Sequence, residues 1–177
     1  MPLRPLNEME VARIVGERAD VETVSFLYSI SRGNTGAVLA LAEDAGLRRL
    51  FNDVKDITRQ HMAERSYCSP TWLADRVIAL GEKFPVEEQA ADGEESKASR
   101  SRRGVIAVLD VALTELRRGM LDAAAAGRTR EMALMRDRIE ALLETIKAVS
   151  GMANQSLAVE GMALRMAELN SGESGAA

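Results

Sequence analysis

An all-α fold is predicted by three features of the sequence. Aromatic residues make up only 3% of the 177 positions while hydrophobic residues make up 46%, so the core must be built from Leu, Ala, Met, Val and Ile, among which Leu, Ala and Met favour helices. Apolar residues recur at three- and four-residue spacing in segment after segment, and no convincing run alternates with the period of two that a half-buried strand requires. The segments also carry helix punctuation, with Asn, Asp, Ser or Thr before them and Gly behind. The length admits one ordinary domain or two small ones.

The elements follow in order. In "PLNEMEVARIVGERA", Asn7 stands three residues before Glu10, the spacing of a capping box, and Val11, Ile14 and Val15 share one face. Asp20 caps "VETVSFLYSISR", where Val24, Leu27 and Tyr28 repeat at helical spacing and Gly33 closes the helix. A third helix is expected from about Gly36 to Ala45, stopped by Gly46. From Leu47 a longer stripe of Leu50, Phe51, Val54, Ile57 and His61 runs until "SYCSP" breaks it.

Ser69 and Pro70 supply an N-cap and an N1 proline for the next helix, with Leu73, Val77, Leu80 and Phe84 inward and Trp72 as a packing anchor. Composition then changes abruptly. Residues 85–103, "PVEEQAADGEESKASRSRR", are polar, pass from acidic to basic and read as a flexible loop.

Two long helices are expected beyond it. The first spans about 104–126 on Val105, Val108, Ala112, Leu116 and Met120, and Gly127 closes it. The second, capped by Thr129, presents Met132, Met135, Ile139, Leu142, Leu143, Ile146 and Val149 before "SG" ends it. In the last, Asn154 is the N-cap, and Leu157, Met162, Leu164 and Met166 spread over an apolar arc too wide for one neighbour. Residues 171–177 have nothing to bury and are expected to fray.

Composition also excludes function classes. A net charge of −4 and a pI near 5.2 argue against a dominant nucleic-acid surface. Lys97, Arg100, Arg102 and Arg103 form a local basic run, so direct DNA contact is expected to be weak or indirect. Cys68 stands alone, which rules out an intrachain disulfide and a cysteine zinc site and fits a reducing compartment. With no apolar run approaching a membrane span, the expectation is a cytoplasmic protein with no membrane partner.

Signs of chemistry are sparse. The sequence has no G-x-x-x-x-G-K-[ST] phosphate loop, no G-x-S-x-G elbow and no H-E-x-x-H. His61, the only histidine, has no second ligand at metal spacing and reads as a packed helix residue. The acidic pairs Glu87/Glu88 and Glu94/Glu95 fall in the polar loop, where solvent keeps carboxylates ordinary. No catalytic residue, metal or cofactor is therefore expected, and the chain is not read as an enzyme. One loop invites a phosphate: "SRGNTGAVLALAED", residues 31–44, sets Gly33 and Gly36 three apart before a helix. No Lys or Arg accompanies it there. In the simpler reading Gly33 ends one helix, Thr35 caps the next and Gly36 permits close packing.

Taken together, "LRPL" at 3–6, "EVARIV" at 10–15 and "SRGNTGAVLALAED" at 31–44 resemble the lid of the bacterial DNA polymerase III clamp-loader subunits of the AAA+ family, delta prime above all. That family carries a "G-S-x-G-x-A-L" loop where this chain has Gly33, Asn34, Thr35, Gly36, Ala37, Val38 and Leu39. Downstream, "ANQSLAVEGMALRMAEL" resembles the end of the family's collar domain through Asn154, Leu157, Glu160 and Leu164. The match is strongest at the two ends and weakest around 66–130.

The resemblance implies a three-helix lid over residues 1–65 and a helical-bundle collar over 66–170. It also implies a degenerate sensor-helix loop at Gly33, Asn34, Thr35, Gly36 and Ala37, where ATP-hydrolysing relatives supply an arginine. The ATPase module is not in this chain. The implied role is non-catalytic assembly with other clamp-loader subunits in a hetero-oligomer, through Asn154, Leu157, Glu160, Met162, Leu164 and Met166. The competing expectation is a free-standing helical adaptor or regulator.

Overall fold

A computed structural model of the chain describes residues 6–16, 24, 27–28, 31, 35–63, 68–84 and 96–171. Every regular element among them is helical: α1 (Glu8–Val15), α2 (Thr35–Glu43), α3 (Ala45–Ile57), a π-helical turn (Thr58–Ala63), α4 (Pro70–Gly81), α5 (Lys97–Ala125), α6 (Thr129–Ser150) and α7 (Gln155–Ser171). The cap at Asp20, the closing Gly33, residues 85–95 and the tail from 172 lie outside the described residues.

The chain divides into two compact units, residues 1–52 and 53–177. The division falls inside α3, ahead of the expected boundary at 65/66. The reason is that the π-helical turn that continues α3 packs against α5 and α6, so it belongs with the helices downstream.

In the first unit, the capping box forms as its spacing requires. The Asn7 side chain accepts from the Glu10 amide at 2.9 Å, and the Glu10 carboxylate accepts from the Asn7 amide at 2.8 Å. Val11 and Val15 are buried while Ile14 is at the surface, and α1 packs on α2. Val24 and Leu27 are buried as expected. Gly46 does not end a helix. The break is at Asp44, whose carboxylate accepts from the Gly46 amide at 2.7 Å and so caps the start of α3.

In the second unit, α4 to α7 form a closed ring of neighbours: α4 on α5, α5 on α6, α6 on α7, and α7 back on α4. Short connections after α5 and α6 make successive helices antiparallel, giving an up-down-up-down four-helix bundle. Its core comes from one stripe of each helix: Leu73, Val77 and Leu80; Val105, Val108, Ala112 and Leu116; Met135, Leu142 and Val149; Val159, Met162 and Met166. Leu143, expected inside, points to solvent.

Two glycines set the spacing of the first pair. A methyl group on Gly81 would come within 2.7 Å of the Val105 nitrogen, and one on Gly104 would meet the Gly81 carbonyl, 2.7 Å from its carbon. Here α4 and α5 touch backbone to backbone, and only glycine fits.

Helix ends explain where the connections fall. Behind α5, Gly127 has φ +69°, and the Gly127 and Arg128 amides donate to the Ala124 and Ala123 carbonyls, a Schellman motif. Behind α6 the same bonds form, from Met152 to Val149 and from Ala153 to Ala148. The residue with positive φ (+73°) is Met152, not the neighbouring Gly151. A β-carbon in the left-handed region costs about 1 kcal/mol. Met152→Gly is therefore expected to stabilise the protein by up to about 0.5 kcal/mol, net of the extra freedom glycine gains when unfolded, in urea titration.

Three expectations need correction. The stretch expected to be a loop up to residue 103 is helical from Lys97, because Ser96 caps it by accepting from the Ser99 amide and its Lys, Ala and Arg residues favour helix. Cations in a first turn oppose the helix dipole by about 0.3–1 kcal/mol each, which half-burial of Arg102 and Arg103 offsets. Trp72 is 46% exposed rather than an anchor, and its ring meets the His61 ring edge-on at 4.9 Å. Thr129 is the first residue of α6, not its cap.

Candidate functional site

Helix α7 and the residue that caps it carry all six residues of the expected interface. Asn154 forms its N-cap, the side-chain oxygen accepting from the Leu157 amide at 3.1 Å. From that start a 100° step per residue puts Val159, Met162, Ala163 and Met166 on the buried side and Leu157, Gly161, Leu164 and Glu168 on the other. Leu157 is 67% exposed and Leu164 54%. Glu160 lies at the edge, accepting from the Ser156 hydroxyl at 3.2 Å.

The expected set therefore splits. Met162 and Met166 fill the bundle's own core, because α7 packs on both α4 and α6 and the wide arc finds its neighbours within the chain. Leu157 and Leu164, two turns apart, remain as an outward apolar pair with the open backbone of Gly161 between them, where an added methyl group would touch nothing. One edge of this face is fixed by Arg165, which pairs with Glu144 and, at 4.0 Å, with Glu140 of α6.

The glycine loop is partly visible. Gly33 and Asn34 lie outside the described residues, and Thr35 and Gly36 open α2 at the surface. Val38 is buried, and α2 has neither an acidic residue in its first turn nor a basic one in its last. The described part of the loop thus supplies no cation to hold a phosphate.

Two polar features escaped the sequence reading. Arg138 is 1% exposed in the middle of α6, where it donates to the Asn170 side-chain oxygen of α7 at 2.5 Å and lies 3.9 Å from the Met135 sulfur. A signal was present: 138 falls three residues after Met135 and four before Leu142, inside the buried stripe.

The other feature is the π-helical turn. Thr58 is fully buried and its hydroxyl donates to the Val54 carbonyl at 2.8 Å, competing with the regular ladder where the helix widens. Arg59 in the same turn pairs at 3.4 Å with Glu115 of α5, whose carboxylate is almost wholly covered. His61 is half-buried there, its Nδ1 without a hydrogen-bond partner.

Cys68 is half-buried before α4, and burial pushes its thiol above the ordinary value, away from the reactive thiolate. Among the described residues no three His, Cys, Asp or Glu side chains gather as a metal site, and no helix is long and apolar enough to cross a membrane. Compared with family models, curated proteins and solved structures, the chain matches none.

Proposed function

We propose that this chain is a non-catalytic assembly portion of a bacterial DNA polymerase III clamp loader, delta-prime-like, serving DNA replication in the cytoplasm by holding subunits together. Support comes from the two motif regions, a glycine loop before a helix and an "N-x-x-L-x-x-E-x-x-L" helix, falling in order on an all-helical chain with two compact units. In this reading the lid covers residues 1–65, within which the first compact unit falls, and the collar covers residues 66–170, the span of the four-helix bundle. The loop lacks the sensor arginine, so the chain takes part in an ATPase assembly without turning over ATP.

The observation that carries the reading is the outward pair Leu157 and Leu164. Covering a leucine fully is worth about 1.5–3 kcal/mol, so two half-exposed ones supply about 2–3 kcal/mol to a subunit contact, 30- to 150-fold in affinity. The test is capture of the other clamp-loader subunits by tagged chain. Wild type is expected to retain them, and Leu157→Asp with Leu164→Asp to lose them at least tenfold while its thermal melt stays unchanged.

A second reading, a free-standing helical adaptor, is favoured by the way α4 and α6 cover α7 within the chain. Recovery of no clamp-loader subunit by the wild-type chain, with the protein monomeric by light scattering, sinks the first reading in favour of this one.

A further inference from the structure

The face left outward on α7 has a shape and a charge as well as an apolar pair. Leu157 and Leu164 stand two turns apart, about 10 Å of helix rise, with Gly161 between them and open space above its backbone. A dip of that form seats one side chain of a second helix. Seven-residue spacing is also the repeat by which two helices lie along each other, a knob from one entering a hole in the other.

Charge edges this face unevenly. Glu140 and Glu144 line the side toward α6, where Arg165 reaches them, Glu160 lies on the side toward α4, and Glu168 continues the line of the leucines by one turn. Over the same stretch the cations of α6 and α7 are Arg165 and Lys147, so two carboxylates stand in excess. On α4 the exposed Asp75, Arg76, Glu82 and Lys83 balance one another. Pairing with Arg165 does not use the glutamates up: the Glu140 side chain remains 62% exposed and that of Glu144 60%, and a carboxylate has about four acceptor positions. Both keep acceptor capacity toward solvent.

We infer that this face takes an amphipathic helix of a different protein, one whose apolar stripe is edged with Lys or Arg. An apolar side chain of that helix seats over Gly161 between the two leucines, and its cations meet Glu140 and Glu144 along one edge. A second copy of this chain is the poorer fit, because it brings the same excess of carboxylates and sets like charges against each other. Rim charges add little affinity singly, and their effect is on which partner is accepted and how fast it arrives. The inference rests on the proposed use of this face as a subunit contact and adds the chemistry of the partner helix.

The test is fluorescence anisotropy of a labelled helical peptide, a leucine stripe at heptad spacing edged with Lys, titrated with the full-length chain at low salt. Saturable binding is expected, weakened at least tenfold by Leu157→Asp with Leu164→Asp and about fivefold or more by Glu140→Lys with Glu168→Lys, with thermal melts unchanged. Should the charge reversal disturb folding, Glu140→Gln with Glu168→Gln serves instead, with a loss of about threefold. The same peptide edged with Glu should bind at least tenfold more weakly, and added salt should narrow the gap. The inference is overturned by a Glu-edged peptide that binds as tightly, by charge variants that bind like wild type, or by a wild-type dimer that Leu157→Asp with Leu164→Asp dissolves. Capture of clamp-loader subunits that the charge variants leave unchanged removes this inference and keeps the assembly reading. Peptide binding as expected, with no subunit captured, does the reverse.

Discussion

Gly104→Ala is expected to destabilise the bundle by about 3 kcal/mol or more, the largest effect of a methyl group added at any of the described glycines. Overpacking a well-filled core costs about 1–3 kcal/mol when side chains can shift out of the way. At this crossing the obstacle is the Gly81 carbonyl, a piece of backbone, so α4 and α5 must separate and every apolar pair along their contact loosens with them. Gly161→Ala provides the contrast. It adds the same methyl group to a helix, meets nothing within 4 Å, and removes glycine's helix penalty of about 1 kcal/mol. The two substitutions should move the urea midpoint in opposite directions. If Gly104→Ala unfolds at the wild-type midpoint, α4 and α5 do not cross at these glycines.

The second large effect is expected at Arg138. A guanidinium with 1% exposure has given up its hydration, and it is held by hydrogen bonding, with the Asn170 side-chain oxygen on the facing helix as one partner. Arg138→Ala removes the charge, leaves the Asn170 oxygen short of a donor and opens a cavity between α6 and α7. Losses of this kind amount to about 3–5 kcal/mol. Asn170→Ala removes only one charge-assisted hydrogen bond and should cost about 1.5–3 kcal/mol. The double variant should cost less than the sum of the two, because the shared bond is lost once. Equilibrium unfolding of the four proteins in urea closes this cycle. Strict additivity would mean that the two side chains do not interact in solution.

How far the sequence disclosed these features depended on the range of the interactions involved. Signals that act within about one helical turn were legible: the reciprocal bonds of Asn7 and Glu10, the Ser69–Pro70 start, the Gly127 end and the Asn154 cap each depend on residues at most five apart. Apolar periodicity likewise picked out Leu73, Val108, Leu142 and Met166 as core. What was missed needed a neighbour from elsewhere in the chain. The helix before Gly104 is held partly by Ser101 reaching Gln155, 54 residues away. The close crossing of Gly81 and Gly104 is invisible until α4 and α5 are set side by side.

The proposed interface shows the same limit more sharply. A helical wheel of α7 separates Met162 and Met166 from Leu157 and Leu164, but it does not tell which side is buried at home and which is left outward. That required knowing that both α4 and α6 flank α7. Met152 is a different case. Its neighbour Gly151 is the residue that composition nominates for the left-handed position, and the backbone places the turn one residue later.

The central claim, that this chain assembles with clamp-loader subunits through the outward face of α7, is tested most directly by native mass spectrometry of a reconstituted mixture. The wild-type chain, 19.2 kDa, is expected in the assembled particle as one copy. Leu157→Asp with Leu164→Asp should return it to the free species. A wild-type chain that stays entirely free beside an intact loader, or a double variant that assembles as well as wild type, would contradict the account.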